Sequence, residues 1–184
     1  MRIVILDGSP RRGGNTDILV DSFVRGASGG NDIIVFRVSD MDIAPCTGCE
    51  SCFRSPDHGC CRRDDMLRIY DAMSGSDVLV LASPVYFYGI SSQLKKVIDR
   101  FHTPMRNDFA IRSAAIMLVG AADLPNLFDP ILMQYRMALE FFGLEDLGSV
   151  LVRGVRGKGD IAGSPALDEA YELGRAVGRD PSDS

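Results

Sequence analysis

A loop of glycines and polar side chains follows the first apolar segment of the chain and has the composition of a phosphate-binding site. Residues 2–6 predict a short buried strand, and an amphipathic helix begins at Asn15 or Thr16. A helix start presents free backbone N–H groups and the positive end of its dipole, which favours a bound phosphate. The loop between the two elements reads Gly8-Ser9-Pro10-Arg11-Arg12-Gly13-Gly14.

The spacing of this loop excludes two common nucleotide sites. Gly8 and Gly13 have the separation of a triphosphate-binding loop, but Gly14 and Asn15 stand where lysine and a hydroxyl residue are required. The dinucleotide fingerprint is also missing, because Pro10 occupies the place of its second glycine. The loop therefore predicts a site for a single, terminal phosphate group.

A second loop carries three neighbouring aromatic residues. Residues 78–82 predict another buried strand, and Ser91 or Ser92 begins the next helix. Large rings must pack on a core, a partner or a flat ligand. The loop either folds onto its own sheet or forms a wall for a planar ring; its residues are Val85-Tyr86-Phe87-Tyr88-Gly89.

Five cysteines form a compact group between residues 46 and 61. Three of them follow one another at intervals of three residues, and a fourth lies eight residues further on, beside Cys61. This spacing suits an iron–sulfur cluster better than a structural zinc ion. A set of reduced, partly buried thiols near a cofactor or a subunit contact is the alternative. The candidate ligands are Cys46, Cys49, Cys52 and Cys60, with Cys61 as an alternative fourth.

Apolar strands alternate with amphipathic helices along the chain, which predicts an α/β fold with a parallel sheet covered on both faces. We expect one domain over residues 1–178 and a disordered tail over 179–184. The predicted strands are 2–7, 32–38, 77–82, 113–119 and 147–152. The predicted helices are 15–27, 65–74, 91–102, 127–142 and 165–178.

The two loops and the cysteine segment together resemble the flavodoxin-like NADPH-dependent FMN reductase and iron–sulfur flavoprotein family. The resemblance covers residues 1–152, with residues 8–16 similar to the FMN-phosphate loop and residues 83–100 to the isoalloxazine loop and its helix. It implies a flavodoxin-like, doubly wound, five-stranded parallel sheet of order 2-1-3-4-5. FMN is the implied cofactor, and the iron–sulfur members add a [4Fe–4S] cluster.

The resemblance also assigns site residues. It places the FMN phosphate at Ser9, Arg11, Asn15 and Thr16, with backbone groups of Gly13 and Gly14. It places the isoalloxazine beside Ser83, Pro84, Val85, Tyr86 and Phe87. A third loop after the fourth strand is expected to contribute Gly120 and Ala121. No acid–base residue is assigned, because direct hydride transfer to a flavin requires none.

Composition narrows the class of protein. The net charge of −5 argues against nucleic acid as a main partner, and no apolar run reaches the ~20 residues of a membrane span. The sequence starts with strand one and shows no signal peptide, so the cysteines indicate a reducing, cytoplasmic setting. Exposed aromatics and the long excursion over residues 40–64 predict a homodimer or homotetramer.

Two functions follow as expectations. The first is an oxidoreductase that transfers electrons from NAD(P)H through FMN to a quinone, free flavin or other small acceptor. The alternative is an iron–sulfur flavoprotein that carries electrons between a ferredoxin-type donor, a [4Fe–4S] cluster and FMN. Four arginines around the cysteine segment suit either an acidic ferredoxin or a nucleotide phosphate: Arg54, Arg62, Arg63 and Arg68.

Overall fold

A parallel sheet forms the centre of the protein in a computed structural model that describes residues 1–177. The five long strands lie in the order β2-β1-β3-β5-β6 and all neighbouring pairs are parallel. This is the predicted flavodoxin-like order, which is therefore confirmed. The strands are β1 Arg2–Asp7, β2 Asp32–Arg37, β3 Val78–Tyr86, β4 Gly89–Ile90, β5 Ser113–Val119 and β6 Glu145–Val152.

Helices cover both faces of the sheet. On one face α3, α4 and α5 pack against alternate strand residues such as Val4 and Leu6. On the other face α1 and α6 pack against Ile3 and Ile5. Successive strand residues point to opposite faces, so a continuous apolar run supplies both cores. The helices are α1 Asn15–Ala27, α2 Ser51–Arg54, α3 Met66–Ser74, α4 Ser92–Ile98, α5 Asp129–Phe142 and α6 Ala166–Val177.

Strand β3 runs four residues beyond its predicted end at Ala82. An end before Pro84 is what its sequence favours, because proline has no N–H for a sheet. The pairing with β1 ends at Ala82, however, whereas the pairing with β5 continues to Pro84 opposite Val119. Pro84 therefore lies where one side of the strand has no neighbour. The strand then turns back into the short antiparallel β4, which the sequence did not predict.

Other elements also differ from the expected ones. The predicted helix over 91–102 is α4 followed by a 3-10 turn over Asp99–Phe101. Helix α2 was not predicted, because four residues are too few for a helical periodicity. The predicted tail over 179–184 lies outside the described residues. No helix among residues 1–177 is both long and apolar enough to cross a membrane.

Helices α1 and α6 approach each other closely at two glycines. A Cβ atom on Gly26 would lie 2.0 Å from the carbonyl oxygen of Tyr171, and one on Gly174 would lie 2.2 Å from that of Phe23. Backbone atoms cannot move aside as a flexible side chain would. These two glycines therefore allow α6 to pack directly against the last turns of α1.

We predict that Gly174→Ala lowers the free energy of unfolding by roughly 1–3 kcal/mol, because the added methyl group forces the helices apart. Denaturant unfolding measures the loss. Gly29→Ala is the matched control, since no atom lies within 4 Å of its added Cβ. Equal stability of the two variants would contradict the close approach.

Candidate functional site

The carboxyl ends of β1, β3 and β5 meet at one edge of the sheet, where a cleft of about 180 Å³ opens. Three loops line it: the loop over residues 8–14 after β1, called the phosphate loop below, the start of the β3–β4 hairpin, and the segment after β5. The chain after β6 adds a fourth wall that the sequence did not indicate. The lining residues are Ser9, Arg11, Gly14, Asn15, Thr16, Pro84, Val85, Tyr86, Val119, Ala121, Val155 and Arg156.

The start of α1 offers free hydrogen-bond donors to this cleft. Gly14 is the N-cap and makes no side-chain cap, so the amides of Asn15, Thr16 and Asp17 have no helical partner. The side chain of Thr16 is buried at the cleft wall, and its hydroxyl bonds to no other residue among those described. These donors and the helix dipole suit an anion.

Other amides of the loop are already used. Gly13 N–H donates to Asp17 Oδ2 at 2.6 Å, and Gly14 N–H donates to the carbonyl of Arg11 at 3.2 Å. Ser9 Oγ accepts from the amide of Arg11 at 3.2 Å, which shapes the turn. The backbone donors available to a ligand are thus those of the first helical turn rather than those of the two glycines.

Gly8 joins the phosphate loop to the hairpin loop. Its N–H donates to the carbonyl of Ala82 at 2.8 Å, and its carbonyl accepts from Ser91 Oγ at 2.7 Å. A Cβ at this position would lie 2.7 Å from both Leu94 Cβ and Ser91 Oγ. Glycine is required here by the closeness of α4.

Asn15 ties the chain after β6 to the start of α1. Its Nδ2 donates to the carbonyl of Gly157 at 2.8 Å, and its Oδ1 accepts from the amides of Gly159 and Ile161 at 2.9 and 3.4 Å. Arg11 Nη1 reaches the carbonyl of Arg156 at 3.4 Å. The asparagine side chain thus holds a wall of the cleft, while the backbone amide remains free for a ligand.

The hairpin supplies the second wall and an exposed tip. Pro84, Val85 and Tyr86 line the cleft, whereas Phe87 at the tip is 98% exposed. Phe87 and Tyr88 have φ angles of 47° and 63°, a left-handed conformation that is unfavourable for both residues. The aromatic side chains of two residues with a strained backbone therefore project beside the cleft.

Two other predicted positions lie behind the cleft wall. Ser83 is fully buried, and its Oγ accepts from the amide of Ser91 at 2.9 Å. Gly120 donates to the carbonyl of Val152 at 2.7 Å, and a Cβ there would lie 2.3 Å from Leu127 Cδ2. Both residues shape the loops without lining the cleft.

A buried cluster of charges lies beneath the phosphate loop. Asp7 is 2% exposed, and its Oδ1 accepts from the amide of Ser9 at 2.8 Å. Arg37 Nη1 lies 3.3 Å from Asp7 Oδ2 and also pairs with Asp17 Oδ2. Burial raises the pKa of Asp7 from 3.8 to about 7, and the neighbouring Asp17 carboxylate adds to the rise against the lowering effect of the Ser9 amide.

All five cysteines line a second, smaller cavity, which is closed on one side by helix α2 and the loop around it. Cys49 Sγ lies 3.7 Å from Cys61 Sγ and 3.1 Å from Ser51 Oγ. Hydrogen bonds from the Ser51 side chain and backbone, and then from Cys61 and Thr47, lower the pKa of the Cys49 thiol to about 6. The cavity therefore presents a thiol with thiolate character at neutral pH.

Arg100 forms the inner wall of this cysteine cavity. Its side chain is 2% exposed, pairs with Asp64 at 2.5 Å and donates to the carbonyl of Ala44 at 3.2 Å. Its Nη2 donates to Cys60 Sγ at 3.5 Å, and its buried Nε has no partner among the described residues. Within residues 1–177, no three His, Cys, Asp or Glu side chains are arranged to hold a single metal ion.

Comparison with known proteins gives the family. A sequence model described as NADPH-dependent FMN reductase matches residues 1–127. An iron–sulfur flavoprotein from Methanocaldococcus jannaschii is 35% identical over 125 residues, which are 66% of this chain and 63% of that protein. One from Methanosarcina thermophila is 36% identical over 123 residues, 66% of this chain and 61% of that protein. The chain thus spans less than two thirds of the length of these two relatives.

Two further proteins are similar to this chain over nearly its whole length. A Bacillus subtilis protein named as an NAD(P)H-dependent FMN-containing oxidoreductase is 29% identical over 182 residues, covering 94% of this chain and 96% of that protein. An NAD(P)H:quinone oxidoreductase from Methanothermobacter marburgensis has the same fold, with a TM-score of 0.77, 17% identity and 98% of both chains covered.

We predict that Asn15→Ala frees the segment over residues 157–161, because both acceptor bonds of its side chain are lost. Amide hydrogen exchange at Gly159 and Ile161 should become roughly fivefold faster or more, as expected for the loss of about 1 kcal/mol of local stability. Asn126→Ala, at an exposed position, is the control. Unchanged exchange in the Asn15 variant would show that the wall is held by other contacts.

Proposed function

The chain belongs to the NADPH-dependent FMN reductase family, and from this premise we propose that it is an FMN-dependent oxidoreductase. In this proposal it transfers electrons from NAD(P)H to a quinone, free flavin or other small acceptor. The observation that carries the proposal is the cleft, in which the start of α1, with its free amides, faces the start of the β3–β4 hairpin. One end suits a phosphate and the other a planar ring.

The residues of the cleft fit FMN in kind and position. The amides of Asn15, Thr16 and Asp17 and the Thr16 hydroxyl would hold the phosphate, with Arg11 at the entrance. Main-chain groups of the hairpin would meet the polar edge of the ring system. When bound, FMN supplies the hydride and electron chemistry, and the protein contributes binding, orientation and exclusion of water.

We predict that this chain binds FMN rather than FAD, because the cleft has one anion site and no dinucleotide fingerprint. Hydrogen bonds to a charged phosphate contribute about 1.5–3 kcal/mol each. The double variant Ser9→Ala/Thr16→Ala should therefore weaken FMN binding at least about tenfold, because Thr16 loses a donor to the phosphate and Ser9 loses the bonds to Arg11 that shape the loop. The single effects should be non-additive, since both act on one anion site.

Fluorescence titration of the flavin-free protein measures this affinity, and chromatography of the released cofactor identifies it. Ser92→Ala is a suitable control, because that exposed hydroxyl lies outside the cleft. FAD as the main cofactor, or an unchanged dissociation constant in the double variant, would place the phosphate elsewhere.

The cysteine cavity supports a second candidate function, that of an iron–sulfur flavoprotein. The donor set is suitable, because all five thiols face one cavity and a buried guanidinium stands behind Cys60. The two archaeal relatives at 35% and 36% identity carry that name. In this reading Cys46, Cys49, Cys52 and Cys60 would hold a [4Fe–4S] cluster, and a ferredoxin-type protein would be the donor.

The cysteine variants distinguish the two candidates. If a cluster is present, anaerobic protein should contain about four irons per chain. Cys49→Ser should then lose iron and keep FMN, because the FMN cleft lies outside the cysteine cavity. Cys60→Ser and Cys61→Ser, made in parallel, identify the fourth ligand: both variants should keep FMN, and only the variant of the ligand should lose iron.

We favour the reductase. Iron-free anaerobic protein that oxidises NAD(P)H in steady state, with all cysteine variants active, would support it. Iron-loaded protein that is inert toward NAD(P)H but is reduced by ferredoxin would contradict it and establish the second candidate.

The setting and assembly of the protein extend the proposal. All five cysteines are free thiols, as suits a reducing cytoplasm. A homodimer or homotetramer would cover the exposed apolar side chains of α5 and of the hairpin, and sedimentation equilibrium distinguishes either from a monomer. These side chains are Phe87, Tyr88, Met133, Met137 and Phe141.

A further inference from the structure

We propose that Arg37 positions the phosphate loop by bridging two carboxylates, each of which holds one end of that loop, and that this cluster releases a bound phosphate more readily as pH rises. The inference rests on the proposed binding of FMN. Arg37 is the last residue of β2, 23 positions beyond the end of the loop at Gly14. It lines no part of the cleft and would act only through its partners.

The geometry divides the work between the two carboxylates. Asp7 accepts from the amide of Ser9 at the start of the loop at 2.8 Å. Asp17 accepts from the amide of Gly13 near its end at 2.6 Å. The Nη1 atom of Arg37 contacts both carboxylates. One guanidinium thus determines the distance between the ends of the loop.

The distance between the two ends of the phosphate loop affects phosphate binding through Gly13. Gly13 has a φ angle of 61°, and it precedes the helix start whose free amides face the cleft. If the Asp17 contact were lost, the first turn of α1 could tilt away from the phosphate position. Binding of a flavin without phosphate would be unaffected, because the β3–β4 hairpin, which would contact the ring system, is joined to β1 through Gly8 and Ser91 instead.

The charges in the cluster are unequal. The carboxylates that face Arg37 are Asp7 of β1, Asp17 of α1 and Asp40 of the 3-10 turn over Val38–Asp40. Arg12 of the phosphate loop also pairs with Asp40. With all of them ionised, three carboxylates face two guanidinium groups. The surplus negative charge lies directly beneath the anion site.

A proton on the two inner carboxylates removes this surplus. Asp7 and Asp17 both contact Arg37 Nη1, and Asp17 Oδ1 is buried without a partner among the described residues. Burial raises the pKa of Asp7 to about 7, so the carboxyl is neutral below that pH and charged above it. A bound phosphate would repel the charged form, and affinity should therefore fall as pH rises through 7.

The test uses flavin-free full-length protein titrated with FMN and, separately, with riboflavin, which lacks the phosphate. Arg37→Gln should weaken FMN binding about tenfold or more and leave riboflavin binding unchanged, because only the phosphate depends on the loop. Arg112→Gln is the matched control: it removes an arginine that pairs with Asp77 at the amino-terminal edge of the sheet, opposite the cleft, and should change FMN affinity by about twofold or less. Arg37→Lys keeps the charge without the bridge and should fall between Arg37→Gln and the unmodified protein.

The pH profile gives a second measurement. FMN affinity of the unmodified protein should decrease several-fold between pH 6.5 and about 8.5, whereas the affinity of Asp7→Asn should show only the slight change that the ionisation of the phosphate causes. The second ionisation of the phosphate, near pH 6, is common to both proteins and cancels in the comparison.

The outcomes separate this inference from the proposed function. If the unmodified protein binds no FMN, both fail. If it binds FMN but Arg37→Gln binds FMN equally well, or loses FMN and riboflavin to the same extent, only the positioning role is overturned. A pH dependence as large in Asp7→Asn as in the unmodified protein would overturn the part assigned to that carboxyl.

Discussion

The close contact between Gly8, Ala82 and Ser91 is the constraint on which the functional edge of the protein depends. Through it the phosphate loop of β1 is joined by hydrogen bonds to the end of β3 and the first residue before α4. Both bonds use the backbone of Gly8, and no side chain could be accommodated there. The position of the phosphate loop relative to the β3–β4 hairpin is therefore set by backbone atoms and does not change with side-chain rotamers.

Helix α4 and the turn after it connect the two cavities. Ser91 at the N-terminal end caps the helix and holds the phosphate loop, whereas Arg100 in the turn anchors the cysteine segment through Ala44, Cys60 and Asp64. The two residues are nine positions apart, about 14 Å along a helix. A cofactor cleft and a group of thiols are thus attached to opposite ends of one short rigid element.

The sequence predicted local structure well and long-range contacts poorly. The bounds of β1 and α1 were predicted to within one residue, because both have a regular apolar pattern of the right period. Asn15 was assigned to a phosphate through the family resemblance, yet its side-chain amide bonds to residues more than 140 positions away. Arg37 ends an ordinary strand, and nothing near it in the sequence indicates two carboxylate partners. Such contacts arise from the topology of the sheet, which brings β2 beside β1.

The left-handed backbone at Phe87 and Tyr88 has a consequence for how this surface can change. Asparagine and glycine adopt that conformation with little strain, so replacing both aromatic residues by them would make the turn more stable. Selection for heat resistance alone would therefore favour removal of the two rings from the rim of the cleft. If the protein were evolved in the laboratory for thermal tolerance alone, we would expect a more polar hairpin with less backbone strain. The same change would remove any binding that depends on the two rings.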